Sequence, residues 1–329
     1  MLATDAPDIE FDACGPSWRA LIEIAAMIVR PYPNWLRMML VIRGSVILDI
    51  APQLALTIAF ATLVTVWRHS LLVDKFHLTF VPFSLIGLTL AIFLGFRNNT
   101  SYARFWEARV LWGAVLNDTR ALARQAVTLV DNASDAPAFV NRLIAFTHAL
   151  RHQLRGTDAK HDLDRLLSEA DCARLANARY KPAVLLVMAG EWLRAQRRRG
   201  ALSDPLAQAM EAPMCRLGDA LGGCERIAGT PIPFTYAVII HRTVYVYCFL
   251  LPFGLAESIG AMTPVVVGFI AYTFFALEAL SAEIEDPFGT QPNDLPLDAL
   301  CQGIEATLLE MLGRRDLPPA PEPVGYMLS

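Results

Sequence analysis

Residues 78–96 read LTFVPFSLIGLTLAIFLGF, 19 consecutive positions without a charge. About 20 apolar residues in a helix cross the ~30 Å hydrocarbon layer of a bilayer, so this stretch is long enough to span one. The helical pattern does not stop at Phe96. Arg97, Asn98, Asn99, Tyr102, Arg104, Phe105, Glu107, Arg109 and Trp112 follow with no proline and one glycine, Gly113. A single helix from about Phe83 into the 120s is expected, on the order of 55–60 Å long. Such a rod would couple a membrane layer to the polar region beyond it.

Three further apolar stretches lie outward from this one. Ile50–Trp67 supplies 18 residues, with Gln53 polar and Pro52 expected in the first turn, where proline is tolerated. Ser258–Leu277 supplies 20 uncharged residues. Pro231–Ala256 is interrupted by His241 and Arg242. A charge in mid-span faces the bundle interior or water, so this stretch is expected to bend or break near Pro252, or to meet an aqueous cavity near Arg242. The turn to the last span is placed at 256–258. The fold class expected is an all-α membrane protein with four transmembrane helices in two hairpins. Its segments are an N-terminal cytoplasmic part (1–43), spans one and two (44–96), a cytoplasmic helical domain (97–230), spans three and four (231–282) and a cytoplasmic C-terminal part (283–329).

Composition agrees. Only 18% of the 329 residues are charged and 54% are hydrophobic, whereas soluble domains carry about 25% charged residues. The net charge of −4 gives no reason to expect nucleic acid as a partner. The charge is concentrated in 97–230, with 19 Lys and Arg against 14 Asp and Glu, and apolar residues there recur at helical spacing over 110–130, 138–155 and 182–196. Arg30, Arg37, Arg43, Arg97, Arg104 and Arg109 flank the first hairpin. The positive-inside rule then places both termini and the central block in the cytoplasm, against the opposing Arg68 and Lys75. Residues 1–13 are acidic, unlike a secretory signal. The six cysteines are scattered without a C-x-x-C pair, so neither zinc nor a disulfide framework is indicated.

Enzyme-like signals are weak. His148 and His152 stand at i and i+4, a spacing that suits a metal, but Ala149 occupies the position of the H-E-x-x-H glutamate; a neutral or solvated pair is the favoured reading. No Gly-rich phosphate loop or G-x-S-x-G is present, and no cofactor is expected. Leu88, Ile92 and Phe96 lie one turn apart on one helical face. Such a stripe can face lipid, a neighbouring helix or a pore. A transporter with His241 and Arg242 at a midplane site, or a membrane-anchored scaffold, are the rival classes.

Several strings are similar to the bacterial branch of the bestrophin family. They are Pro82-Phe83-Ser84, Phe93-Leu94-Gly95-Phe96-Arg97-Asn98, Ser101-Tyr102, Arg104-Phe105 and Glu107-Ala108-Arg109. Further on come Gly222-Gly223-Cys224-Glu225-Arg226, Thr230-Pro231-Ile232-Pro233-Phe234 and Glu285-Asp286-Pro287-Phe288-Gly289. The resemblance runs from about Met27 to about Leu312, leaving 1–26 as an extension. It implies a homopentameric ion channel in a bacterial inner membrane, embedded in lipid and passing small monovalent ions along the fivefold axis. The family's apolar neck falls on Leu88, Ile92 and Phe96, and such a constriction gates by dewetting. Its cytoplasmic aperture falls on Leu206, with Pro205 the rival by one residue; Ser203, Asp204 and Pro205 also read as a helix start. Animal members gate with calcium through an acidic run after Pro-Phe-Gly. Here only Asp294 is placed for such an ion contact, so no calcium clasp of that type and no bound metal are expected, and Glu285 and Asp286 are expected as caps or interface residues. Branch resemblance leans towards monovalent cations such as sodium, with chloride the alternative.

Overall fold

A computed structural model describes residues 27–28, 34–39, 41–42, 44–67, 80–131, 134–323, 326 and 328. The extension 1–26, the flanking Arg30 and Arg43, and the connector with Arg68 and Lys75 lie outside the described residues. The regular elements among the described residues are all helical: α1 (Trp35–Met39), α2 (Ile47–Trp67), α3 (Phe80–Thr128), α4 (Ala136–Arg155), α5 (Lys160–Leu166), α6 (Glu169–Leu175), α7 (Lys181–Arg198), α8 (Asp204–Gly229), α9 (Phe234–Ile259), α10 (Thr263–Glu285) and α11 (Leu297–Met311).

The rod α3 has 49 residues, about 73 Å at 1.5 Å per residue, longer than the sequence pattern suggested. Pro82 falls in its first turn, where the missing N–H has no partner to lose. The next residues that stop a helix lie beyond Thr128. Its two halves belong to separate cores. Phe83, Leu90 and Leu94 pack with α9 and α10, while Ala108, Trp112, Val115, Leu122 and Ala126 enter the core of the helical domain.

Among the described residues, three stretches are long and apolar enough to cross a membrane: Ile47–Trp67, Val81–Thr128 and Phe234–Glu285. The last is divided by a 3₁₀ turn, Gly260–Met262, into α9 and α10. The turn therefore lies at 260–262, not at 256–258, because Gly260 (φ 55°) supplies the backbone conformation that reverses the chain. Pro252 does not break α9, which continues to Ile259. Pro52 lies inside α2, not in its first turn, because the helix begins three residues earlier, at Ile47. Close approach of α3 and α9 depends on Gly254, where an added Cβ would come within 2.5 Å of the Phe83 ring. Helix α2 packs chiefly on α10 and α9, with Phe60 edge-on to Phe249 and Phe253.

In the helical domain, α4 is the central element, buried along most of its length from Phe139 to Leu150 and packed against α3, α7 and α11. Gly156 closes it in the left-handed conformation (φ 65°). Phe139 stacks on Trp192 of α7 with ring centroids 4.3 Å apart. The 286–296 segment folds back to join α10 to α11, its Phe288 buried in the same core.

Candidate functional site

The packed stripe of α3 runs through Phe83, Leu90, Leu94, Arg97 and Ser101. At 100° per residue, Leu88, Ile92 and Phe96 point to the opposite side of the helix. They are 61%, 51% and 60% exposed. Each is one turn from the next, so the three extend over about 12 Å. Leu85, Phe93 and Val81 beside them are also exposed, which leaves this half of α3 unpacked over more than half its circumference. The hydroxyls of Ser84, Thr89 and Thr100 donate back to the carbonyls of Val81, Leu85 and Phe96. The face consequently presents few unmet polar groups.

Directly below Phe96 a polar layer anchors the helix. The Arg97 guanidinium, almost fully buried, lies between Glu278 (3.4 Å) and Glu285 (3.6 Å). Ser101 and Ser281 share a hydrogen bond of 3.1 Å. Arg104 donates to three carbonyls, those of Ile227 (2.7 Å), Thr230 (2.6 Å) and Glu285 (3.0 Å). Glu285 also accepts from Ile232 N–H (3.1 Å), joining α10 to the segment entering α9. His241 is paired with Glu278 at 3.2 Å rather than with a substrate cavity. These contacts fix α3 against α8, α9 and α10 and so fix the direction in which Phe96 points. The motif residues Arg97, Arg104 and Glu285 were visible in the sequence. Glu278 and Ser281 were not, because nothing in an apolar run shows which polar residue will meet a partner nearly two hundred positions away.

The second candidate constriction lies at the far end of the domain. Ala201 O accepts from Asp131 N–H (3.0 Å), and Gln125 of α3 donates to Ala209 O (3.4 Å). The first turn of α8 therefore flanks the end of α3, roughly 45 Å along the rod from Phe96. Here Pro205 is exposed, while Leu206 is half-buried and packs on the domain core. Ser203 takes the extended N-cap conformation without a side-chain cap bond, and Asp204, in the first turn, pairs with Arg197 at 3.0 Å.

Asp294 is not open to solution. It is 1% exposed, and its carboxylate accepts from Gln291 N–H at 2.7 Å to close the 291–294 turn. Burial, opposed by that hydrogen bond and reinforced by Asp286 and Glu283, pushes its pKa up to about 7. Its main-chain carbonyl accepts from Met27 N–H (3.3 Å), and Pro292 O accepts from Ile28 N–H (3.0 Å). Among the described residues no group of three or more His, Cys, Asp or Glu side chains is arranged to hold a metal.

The histidine pair does something else. His148 is buried, not solvated, with Nε2 2.9 Å from Glu305 and Nδ1 3.4 Å from Asp162. His152 Nε2 lies 3.0 Å from the same Asp162. Arg151 joins Asp162 and Asp298, and Arg165 joins Glu305. The network ties α4 to α5 and α11.

Comparison with known proteins places these features in a family. The model described as "Bacterial/Fungal Bestrophin protein" matches residues 27–310. The voltage-dependent anion channel-forming protein RSc3414 of Ralstonia nicotianae is 47% identical over 294 residues, 88% of this chain and 96% of that one. The voltage-dependent anion channel-forming protein YneE of Escherichia coli is 43% identical over 295 residues, 89% and 96% of the two chains. A solved structure of a bacterial bestrophin homologue from Klebsiella pneumoniae superposes with a TM-score of 0.77 at 44% identity, covering 82% of this chain and 100% of that one.

Proposed function

Because the chain belongs to the bacterial and fungal bestrophin family, we propose that it is a membrane ion channel in which five copies of α3 surround the conduction path. The observation that carries this reading is the open face of α3. Leu88, Ile92 and Phe96 are exposed on the side directly opposite the packed stripe, while the Arg97 layer holds the helix in one orientation. In a closed ring of identical subunits, five such faces make three stacked apolar rings, a neck that regulates wetting and therefore conduction. Four membrane crossings are assigned to α2, the first half of α3, α9 and α10, with both termini and the helical domain in the cytoplasm of a bacterial inner membrane. At the opposite end of the domain the first turn of α8 forms a second aperture, and the exposed Pro205 is better placed to line it than the half-buried Leu206.

The permeant ions are proposed to be anions. The cation preference expected from branch resemblance finds no support, whereas the relatives from Ralstonia nicotianae and Escherichia coli are both named as anion channel-forming. The apolar rings choose no sign. Most arginines of the domain are paired within the subunit, as in Arg142–Asp171, Arg216–Asp118 and Arg226–Glu107. Arg124, exposed near the end of α3, has no carboxylate partner within the subunit among the described residues and brings positive charge to the lower path. Recording from protein reconstituted in planar bilayers under a potassium chloride gradient tests the sign. A reversal potential displaced towards the chloride equilibrium value supports it, and displacement towards the potassium value overturns it in favour of cation conduction.

A further inference from the structure

Every residue of α1 is exposed, and four of its five side chains are apolar: Trp35 at 73%, Leu36, Met38, and Met39 at 76%. Ile42 and Leu48 carry the exposure on into α2. A contiguous apolar surface of this kind marks a contact with something other than water.

The register of α2 fixes its level. Gly44 lies against Ile28, whose N–H is bonded to Pro292 O just past the end of α10, so α2 starts where α10 finishes. Ile58 lies against Gly268. Moving from Ile58 back to Ile47 is matched by moving from Gly268 forward to Ala279, beside Glu278 of the polar layer. The turn at 44–46 and α1 before it therefore lie where the apolar helices end and the charged layer begins. That is the headgroup zone of a bilayer, where tryptophan concentrates and arginine side chains reach phosphate.

We propose that α1 is an interfacial lipid-binding element: Trp35, Leu36, Met38 and Met39 enter the headgroup and upper acyl region of phospholipid on the helical-domain side, and Arg37 reaches the phosphates. The inference rests on the membrane reading above. Lipid is favoured over a second copy of the chain because α1 is continuous with the outer side of α2. That helix packs chiefly on α9 and α10 and leaves Leu48, Leu56 and Leu63 exposed at the perimeter of the apolar helices. A five-residue element has little affinity alone; its role is to fix the depth at which α2 enters.

The test uses the full-length chain with Cys14, Cys172 and Cys215 replaced by serine. A nitroxide is attached at Met39→Cys or, as a control within α2, at Leu63→Cys. The protein is reconstituted in vesicles of phosphatidylethanolamine and phosphatidylglycerol, and collision of each label with oxygen and with a water-soluble nickel chelate is measured by EPR. The expected result is oxygen accessibility several-fold above nickel accessibility at both sites. Nickel accessibility exceeding oxygen at 39, with 63 still in lipid, overturns the inference and leaves the membrane reading standing. Protection from both reagents at 39 means that a neighbouring subunit covers α1, and also overturns it. A water-exposed label at 63 brings down the membrane reading itself.

Discussion

Arg97 holds two carboxylates, Glu278 and Glu285, in the layer where the apolar half of α3 ends. Without the arginine, Glu278 keeps only His241 beside it and Glu285 only the Ile232 N–H, and breaking a buried ion pair in this way costs about 3–5 kcal/mol. Arg97→Met is therefore expected to lower the melting temperature of the detergent-solubilised protein sharply; a change no larger than that of an exposed arginine variant such as Arg198→Met would contradict the role. Asp294 behaves in the opposite sense. Its pKa is raised from 3.8 to about 7, so the folded state binds the proton more tightly than the unfolded chain does. The stability it contributes is fully present below about pH 4 and is lost as pH rises through about 7. Asp294→Asn should flatten that part of the melting-temperature profile between pH 4 and 8, and a parallel profile would refute the assignment. Neither behaviour was legible from residue identity. The sequence showed a carboxylate after Pro287-Phe288-Gly289, but not that the 291–294 turn would seal it from water.

At the scale of helices, the sequence identified what depends on local chemistry and missed what depends on tertiary contact. Uncharged runs of about 20 residues and the absence of proline after Pro82 were enough to expect the spans and the long rod. Of the bend or break expected near Pro252, the break does not occur, because Leu251, Pro252 and Leu255 are buried against neighbouring helices and packing retains a helix that propensity alone would end. His148 and His152 were expected as a neutral or solvated pair; the sequence could not show that His148 is buried against Glu305 and that His152 lies beside Asp162, because these partners sit on other elements. Burial of Glu305 disfavours its charge, but hydrogen bonds from Arg165 and His148 outweigh that and hold its pKa at about 2, against an ordinary 4.5. The stability from this contact is complete above about pH 4.5 and is lost as pH falls towards 2. Glu305→Gln is expected to loosen α11, read as faster amide hydrogen exchange across residues 297–311 at pH 7. Unchanged exchange there, with normal folding elsewhere, would remove the network as the tether of α11.

The single subunit leaves apolar side chains uncovered along α3, including Leu85, Leu88, Ile92, Phe93 and Phe96, and others along α2, α9 and α10. Lipid and identical neighbours together account for such a surface, and the five-subunit reading predicts a protein mass of five times 36.3 kDa, about 180 kDa, by native mass spectrometry from detergent. A monomer or dimer would favour a transporter or scaffold. The sequence alone could place the Leu88–Ile92–Phe96 stripe on one face but could not say which face was free; the packed stripe opposite it supplies that. The most direct measurement is the unitary conductance of reconstituted protein with Leu88, Ile92 and Phe96 all replaced by alanine, compared with the unaltered chain. If the three rings form the neck, the variant conducts more ions per unit time; an unchanged conductance, or no current from either protein in any salt, would contradict the account.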